Sequence, residues 1–536
     1  MTTYFSRLNP VPGFPPYTGP YTVGTLDVEL PVSELDSASP APDNDIPTVQ
    51  YRVFYPCDPD FKGKNISFIP SPQREYIAAY TRFLGAGNAL SEFISFFPRI
   101  LHYIQIPALK NAPLLEPPTP TGRWPVMLFS HGLGGSRNAY SHIAGSIASH
   151  GMIVVCPEHR DGSTPISFIR DVPSTNPNKP SEKHSCGRKS KTKVQYQQVA
   201  HKVSPEVEAG RNAQLRIRLW EMGLIFDSLV RLDIGENLSN LNTSTTPLSL
   251  FKEKMDVHRP GKVTFAGHSF GASTITQLIK STFYAPRNPE APVTYTPLFT
   301  PTSRSHISSQ ITAQSPAILL DVWCLPLRAE STRWLWDLPF PAYTTGGQGG
   351  ASLLAVESQA FYVWHEHLAA TKRVLSPDPS TTVPFDYAAK GVKEPAFYYA
   401  ESAAHLSQSD FGILFPWLTK RFLAVEDPER ILRLNVRAVV QLLRNNGVEV
   451  GKTSREDMEL EDANAKETKD DEKILAKEGV RGWCWISTNV DEDGAEKGEG
   501  QVEDSKITEA SEAVIENELM KETESGAANL APQEKA

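Results

Sequence analysis

The stretch Val263–Lys280 reads VTFAGHSFGASTITQLIK. Val263–Ala266 is an apolar run of strand character, and Ala272–Lys280 has the composition and spacing of a helix. Between them stands Gly267-His268-Ser269-Phe270-Gly271. Gly-x-Ser-x-Gly at a strand-to-helix junction holds a serine on a sharp, strained turn with its hydroxyl clear of the sheet. The glycines are needed because neighbouring backbone passes too close for a Cβ. Five residues alone are a weak pattern, and the strand before and helix after give it weight. Ser269 is therefore the candidate nucleophile, and it requires a base and an acid elsewhere in the chain.

Working outward, the same grammar repeats. Val126–Ser130 (VMLFS), Met152–Cys156 (MIVVC), Ala317–Leu320 and Ala396–Ala400 are short buried runs. Tyr140–His150, Glu206–Leu232 and Pro428–Leu443 read as helices, the second with Leu215, Leu219, Met222, Phe226 and Leu229 on one face. Strands apolar throughout, alternating with helices, predict an α/β fold with a mainly parallel central sheet covered on both faces. With the elbow, the pattern predicts an α/β-hydrolase fold. Thr25–Leu30 and Thr48–Tyr55 alternate as an antiparallel hairpin would. Residues 1–24 read as an irregular arm, 25–452 as the catalytic domain with an inserted polar loop at 163–203, and 453–536 as an acidic, mostly disordered tail.

On this fold the triad follows the chain order Ser, acid, His. Only His306, His365, His367 and His405 lie beyond Ser269. The acid should end a strand, and Asp321 ends AILLD, directly behind four apolar residues. His306 precedes Asp321 and breaks the order. His365 and His367 fall within a helical stretch, where a solvated or partly buried face explains them. His405 follows the strand-like FYYA after a short loop, at the carboxyl end of a strand where active residues gather in open sheets. His405 is thus the expected general base and Asp321 the acid that fixes its tautomer. The backbone N–H groups of Phe270 and of Leu133, in His131-Gly132-Leu133-Gly134-Gly135, are the expected oxyanion donors.

Composition limits the alternatives. The 536 residues carry a net charge of −9, which argues weakly against nucleic acid. The acid is local: Glu456–Ala536 holds 24 of the 62 acidic and 9 of the 53 basic side chains, leaving the remainder at +6. Five scattered cysteines with no CxxC suit reduced thiols, and no signal-peptide pattern or spanning apolar run is present, so a cytoplasmic location is expected. No metal or cofactor is suggested.

Several segments together resemble the platelet-activating-factor acetylhydrolases of the plasma and intracellular type II group. FSHGLGGSRNAYSHIAGSIASHGMIVVCPEHRDGS is similar to that family's first oxyanion segment, FAGHSFGAST to its elbow, LLDVWCLPL to its acid segment and HLSQSDF to its histidine segment. TGPYTVGTLDVELP and YRVFYPCD look like its N-terminal hairpin. The likeness covers roughly residues 17–420. The 163–203 insertion and the acidic tail fall outside the pattern, and the elbow ends in GHSFGA where the family more often has a second Gly. The resemblance implies calcium-independent hydrolysis of the sn-2 ester of phospholipids with short or oxidised acyl chains, through an acyl-serine. A general carboxylesterase or polyester hydrolase would share every one of these residues. A catalytically inactive binding protein on the same fold is the remaining alternative, and the intact set Ser269, Asp321, His405 speaks against it.

Two further stretches invite a role. Glu158-His159-Arg160-Asp161 looks catalytic by composition, but a salt-bridged loop buttressing the site explains it. From Ser71 to Ile106 the pattern reads as helical, and Phe83–Ile106 within it is unusually apolar. Phe93, Phe96 and Phe97 share a helical face, which is either a buried cover or an interfacial surface docking on lipid. Trp334–Phe340 is a second candidate contact.

Overall fold

A computed structural model describes residues 11–42, 46–96, 99–172, 191–416, 419–420, 425–459 and 471–489. Its strands are β1 (Val23–Pro31), β2 (Thr48–Pro56), β3 (Asn65–Ser67), β4 (Gln105–Lys110), β5 (Val126–Ser130), β6 (Ile153–Pro157), β7 (Ile166–Arg170), β8 (Lys191–Gln195), β9 (Thr264–His268), β10 (Ala317–Leu320), β11 (Leu353–Ser358), β12 (Ala396–Ala400) and β13 (Trp483–Trp485). Eleven form one sheet in the order β13-β12-β11-β10-β9-β5-β6-β2-β1-β4-β3, and β7 pairs with β8 apart from it. From β6 to β12 every pairing is parallel. The hairpin β1–β2 is antiparallel and joins through β2 to β6.

Side chains alternate across each strand. On β5, Val126 and Leu128 enter one core, Met127 and Phe129 the other; on β10, Ala317 and Leu319 oppose Ile318 and Leu320. Both faces are buried, which is why these strands read as unbroken apolar runs. The longer helices are α1 (Gln73–Phe83), α2 (Asn88–Phe96), α3 (Ser141–Ser149), α4 (Pro205–Asp233), α5 (Phe270–Phe283), α6 (His365–Leu375) and α7 (Pro428–Asn445). Helices α4 and α5 cover the first core, α3 and α7 the second. α4 starts where sequence chemistry says it should: Ser204 accepts from the Val207 N–H, Pro205 opens the first turn, and Glu206 and Glu208 face the helix dipole. α7 is capped likewise by Asp427, ahead of Pro428.

Three expectations are corrected. The helical stretch from Ser71 to Ile106 is two helices, then a turn at Arg99–Tyr103 and the start of β4. The insertion at 163–203 is not simply a polar loop. Its ends form the β7–β8 hairpin, Phe168 packs on Tyr76 with centroids 5.4 Å apart, and Tyr196 meets Phe83 at 4.9 Å. Residues 173–190 lie outside the described residues. The folded body also does not end at 452. β13 adds antiparallel to β12, Trp483 stacks on Tyr398 at 5.2 Å, and the Ile486 N–H donates to the Phe397 carbonyl at 2.8 Å. Asp457 pairs with Arg433 and Asp471 with Arg437, each at 2.7 Å. Buried Arg437 requires such a partner, since an unpaired charge in the interior costs several kcal/mol, on the order of 3–5. The rest of the expected tail, 460–470 and 490–536, lies outside the described residues. The arm runs over α3: the Tyr17 hydroxyl donates to the Ser141 carbonyl, and the Tyr21 N–H to that of Ser149. Residues 1–10 are not among those described.

Candidate active site

β9 delivers Ser269 at its carboxyl end with φ 56° and ψ −121°, and α5 begins at the next residue. A Cβ on Gly271 would stand 2.0 Å from the Ser130 carbonyl oxygen, and one on Gly267 2.5 Å from Gly271 backbone. No other residue fits either position, so the turn itself accounts for both glycines. The Ser269 N–H donates to the Leu320 carbonyl at 2.9 Å, tying the elbow to β10.

Asp321 stands immediately after β10 and is fully buried, at φ 41°. Its Oδ1 accepts from the Ser358 N–H at 2.5 Å, at the end of β11. Its Oδ2 lies 2.9 Å from His405 Nδ1, in the turn beyond β12. The parallel strands β9, β10 and β12, with β11 between the last two, thus bring Ser269, Asp321 and His405 together at their carboxyl ends. The His405 ring is clamped between Phe361, stacked at 4.5 Å and 8°, and His268 at 4.4 Å. Burial alone would raise the Asp321 pKa, but the neighbouring His268 and His405 outweigh it and hold the carboxyl well below the usual range. Burial, aided by His405, pushes His268 down to about 4, so it is neutral near pH 7. His306 pairs with Asp227 at 2.6 Å, a carboxylate of α4. His365 is exposed, and His367 is buried and accepts from the Cys324 N–H at 3.1 Å.

In the loop after β5, Gly132 donates its N–H to the Tyr140 hydroxyl, Gly134 to the Ser163 carbonyl and Gly135 to the Gly132 carbonyl. Among the described residues the Leu133 N–H has no acceptor. Phe270 is the first residue of α5, and a helix's first N–H groups have no intrahelical partner. The loop is braced from beneath. Arg218 of α4 donates to the His131 carbonyl at 2.8 Å and pairs with Asp161 at 2.6 Å. His159 joins Ser130 and Glu221, and Arg137 pairs with Glu158 at 2.8 Å. The Glu158–Asp161 stretch is a buried support for the loop.

A cavity opens over Ser269 and His405 and includes Leu133. Its walls are aromatic: Tyr80, Phe83, Trp323, Phe361, Trp364 and Phe411. His201, near the end of the insertion, also lines it, beside Trp323. Among the described residues, the cluster of possible metal ligands is His268, Asp321 and His405, already engaged with one another. Sequence reasoning missed Tyr140, His268, Ser358 and Phe361. The first two stand inside quoted motifs, but nothing in the sequence pairs them.

Helix α2 faces outward. Phe93 is 63% and Phe96 48% exposed, with the Arg74 guanidinium 3.4 Å above the Phe96 ring. Phe97 lies outside the described residues. α2 packs on α1, whose Tyr80 and Phe83 line the cavity. The second candidate contact is not a surface: Leu335, Trp336 and Phe340 are buried. No helix among the described residues is long and apolar enough to cross a membrane.

The chain is similar to known proteins along most of its length. It is 28% identical over 457 residues to a Schizosaccharomyces pombe protein named Putative phospholipase A2, covering 81% of this chain and 92% of that one. It is 30% identical to the platelet-activating factor acetylhydrolase of Cavia porcellus over 49% of this chain and 52% of the relative, and 29% to that of Canis lupus familiaris over 42% and 46%. The matches to these two acetylhydrolases span about half of their length. A solved ferulic acid esterase from Streptomyces cinnamoneus superposes over 82% of this chain and 89% of its own, at 14% identity and TM-score 0.41, too loosely to add to the assignment. Residues 8–466 match the family described as platelet-activating factor acetylhydrolase, isoform II, and the chain belongs to that family.

Proposed function

We propose that this protein is a serine esterase that hydrolyses the sn-2 ester of phospholipids bearing a short or oxidised acyl chain. The observation that carries the reading is the strained Ser269 turn beneath an aromatic cavity, with a buried His405–Asp321 pair at the same sheet edge. Family membership and the names of the relatives favour a phospholipid over other esters.

In this reading Ser269 Oγ attacks the sn-2 carbonyl carbon as His405 Nε2 takes its proton. Asp321 keeps the Nδ1–H of His405 in place and balances the imidazolium that forms. The Leu133 and Phe270 N–H groups meet the oxyanion, which contributes several kcal/mol, about 3–4 per donor in comparable sites. Collapse breaks the ester bond, and His405 returns the proton to the departing lysophospholipid alkoxide. Water, deprotonated by His405, then attacks the acyl carbon, and collapse breaks the bond to Ser269 Oγ, which takes the proton back from His405 as the acid is released. Each step uses only side chains and backbone of this chain, so chelation of calcium should leave turnover intact. The exposed face of α2 would rest on the membrane and present lipid to the cavity beside it. Cysteines that are all free among the described residues suit a cytoplasmic enzyme.

The test is a set of phosphatidylcholines differing only in sn-2 acyl length, assayed with and without EDTA, together with fluorophosphonate labelling. Labelling at Ser269, activity falling steeply with chain length and indifference to EDTA are expected. Equal activity on long chains would favour a broader esterase, and absence of labelling would favour the inactive binding protein.

A further inference from the structure

Tyr140 and His268 have no part in the steps above, yet both line the cavity. The Tyr140 hydroxyl accepts the Gly132 N–H at 3.2 Å and lies 2.7 Å from His268 Nδ1. Having accepted one hydrogen bond, it gives its own proton to Nδ1, and burial pushes its pKa far up so that the proton stays. His268 must then carry its hydrogen on Nε2. That atom is buried without a partner, 3.9 Å from Asp321 Oδ2, and the ring lies against His405. The Tyr140 ring is fixed against Phe129 at 5.2 Å. Gly132 itself packs on the elbow, since a Cβ added there would sit 3.0 Å from Ser269 Cβ. One hydrogen-bonded chain therefore runs from the loop that carries Leu133 to the ring wedged beside the acid and base.

We propose that Tyr140 and His268 are positioning residues that hold the Leu133 N–H over Ser269 by anchoring Gly132 to the acid–base pair. The inference rests on the serine-esterase reading. A tether of this kind acts on the transition state and not on substrate binding, because the oxyanion forms only after attack. Without it the loop can relax, and a displacement of about 1 Å in a donor costs on the order of 100-fold in rate.

The experiment uses the full chain, a soluble short-chain oxoester and its thionoester counterpart, whose sulfur is a poor acceptor and gains little from oxyanion donors. Tyr140→Phe, which removes one oxygen, should lower kcat on the oxoester by about 10- to 100-fold with KM within about threefold, and affect the thionoester far less. His268→Leu should match it. His268→Asn, whose amide oxygen falls near the position of Nδ1, should recover most of the loss. The double variant Tyr140→Phe/His268→Leu should be no worse than either single one, as expected of one chain. Equal losses on both esters, a loss carried in KM, or an unaffected Tyr140→Phe would overturn the proposal. If Tyr140→Phe does not fold, the contrast between the two His268 variants decides alone. Retained activity in Ser269→Ala would instead overturn the esterase reading beneath it.

Discussion

The floor of the cavity and the outer cover that α2 lays on its α1 wall are built on opposite principles. On the floor Asp321 is fully buried and Ser269 is 6% exposed, and the backbone and side chains around them are tied strand to strand. On the cover, α2 turns Leu90, Phe93 and Phe96 to solvent at 48%, 63% and 48% exposure. A carboxylate buried on the floor is tolerable only because donors surround it. Aromatic rings exposed on the cover lie outside both buried cores and mark a surface with another use. In the proposed reading the difference separates two tasks: a rigid, dry floor would serve the chemistry, and an apolar, outward cover would give access to an insoluble substrate. Breaking one should leave the other's signature intact.

The largest effect is expected on the floor. Ser269→Ala should abolish turnover on every ester while the melting temperature and vesicle binding stay as they are. Asp321→Asn should cost about 10⁴-fold in kcat by favouring the wrong His405 tautomer. Steady-state kinetics on a soluble ester check both. Activity surviving in His405→Ala but lost in His367→Ala would mean that the wrong ring had been assigned, since His367 lies near the same pocket through Phe361.

What the sequence disclosed of each part follows from the same contrast. β5, β10 and β12 were legible because strands buried on both faces leave an apolar run. The elbow was legible because its glycines answer a local steric demand. Chain order then led to Asp321 and His405, which the structure brings within 2.9 Å. The Tyr140–His268 contact joins residues 128 apart, and no local pattern encodes it. β8, KTKVQ, hid because its polar residues read as loop. β13 hid because three residues in an acidic stretch leave almost no periodicity. Whether α2 faced core or water was undecidable, since apolar density is the same for a buried cover and an interface.

A smaller effect tests the sheet edge that the sequence concealed. Removing residues 471–536 deletes β13 with Ile474, Trp483 and Ile486, all buried. Each such side chain contributes on the order of 1.5–3 kcal/mol. The deletion also strands Arg437 without Asp471. The melting temperature should fall by about 5 °C or more, measured by scanning calorimetry. An unchanged melting temperature would mean that this edge strand contributes nothing to the body.

The smallest expected effect, and the sharpest test of the contrast, lies on the cover. Phe93 and Phe96 stand three residues apart on one face of α2, which packs on the α1 helix whose Tyr80 and Phe83 line the cavity. Each ring entering the headgroup region would add on the order of 1 kcal/mol or more to membrane binding. Phe93→Ser with Phe96→Ser should therefore weaken binding to phosphatidylcholine vesicles by roughly 30-fold, the product of two such contributions. Activity on aggregated lipid should fall in parallel, while kcat/KM on a soluble short-chain ester stays the same. Because both rings lie outside the buried cores, the variant should melt within a few degrees of the parent, the loss being on the order of the one Arg74–Phe96 contact. Removing Phe96 also frees Arg74 from the ring it covers, which on an anionic vesicle would partly offset the loss and fade with salt. Neutral vesicles avoid that compensation. If the double variant loses soluble-ester activity as well, α2 shapes the cavity itself and the separation of floor from cover fails. If it binds vesicles as tightly as the parent, lipid is met by another face, and the exposed rings need a different partner.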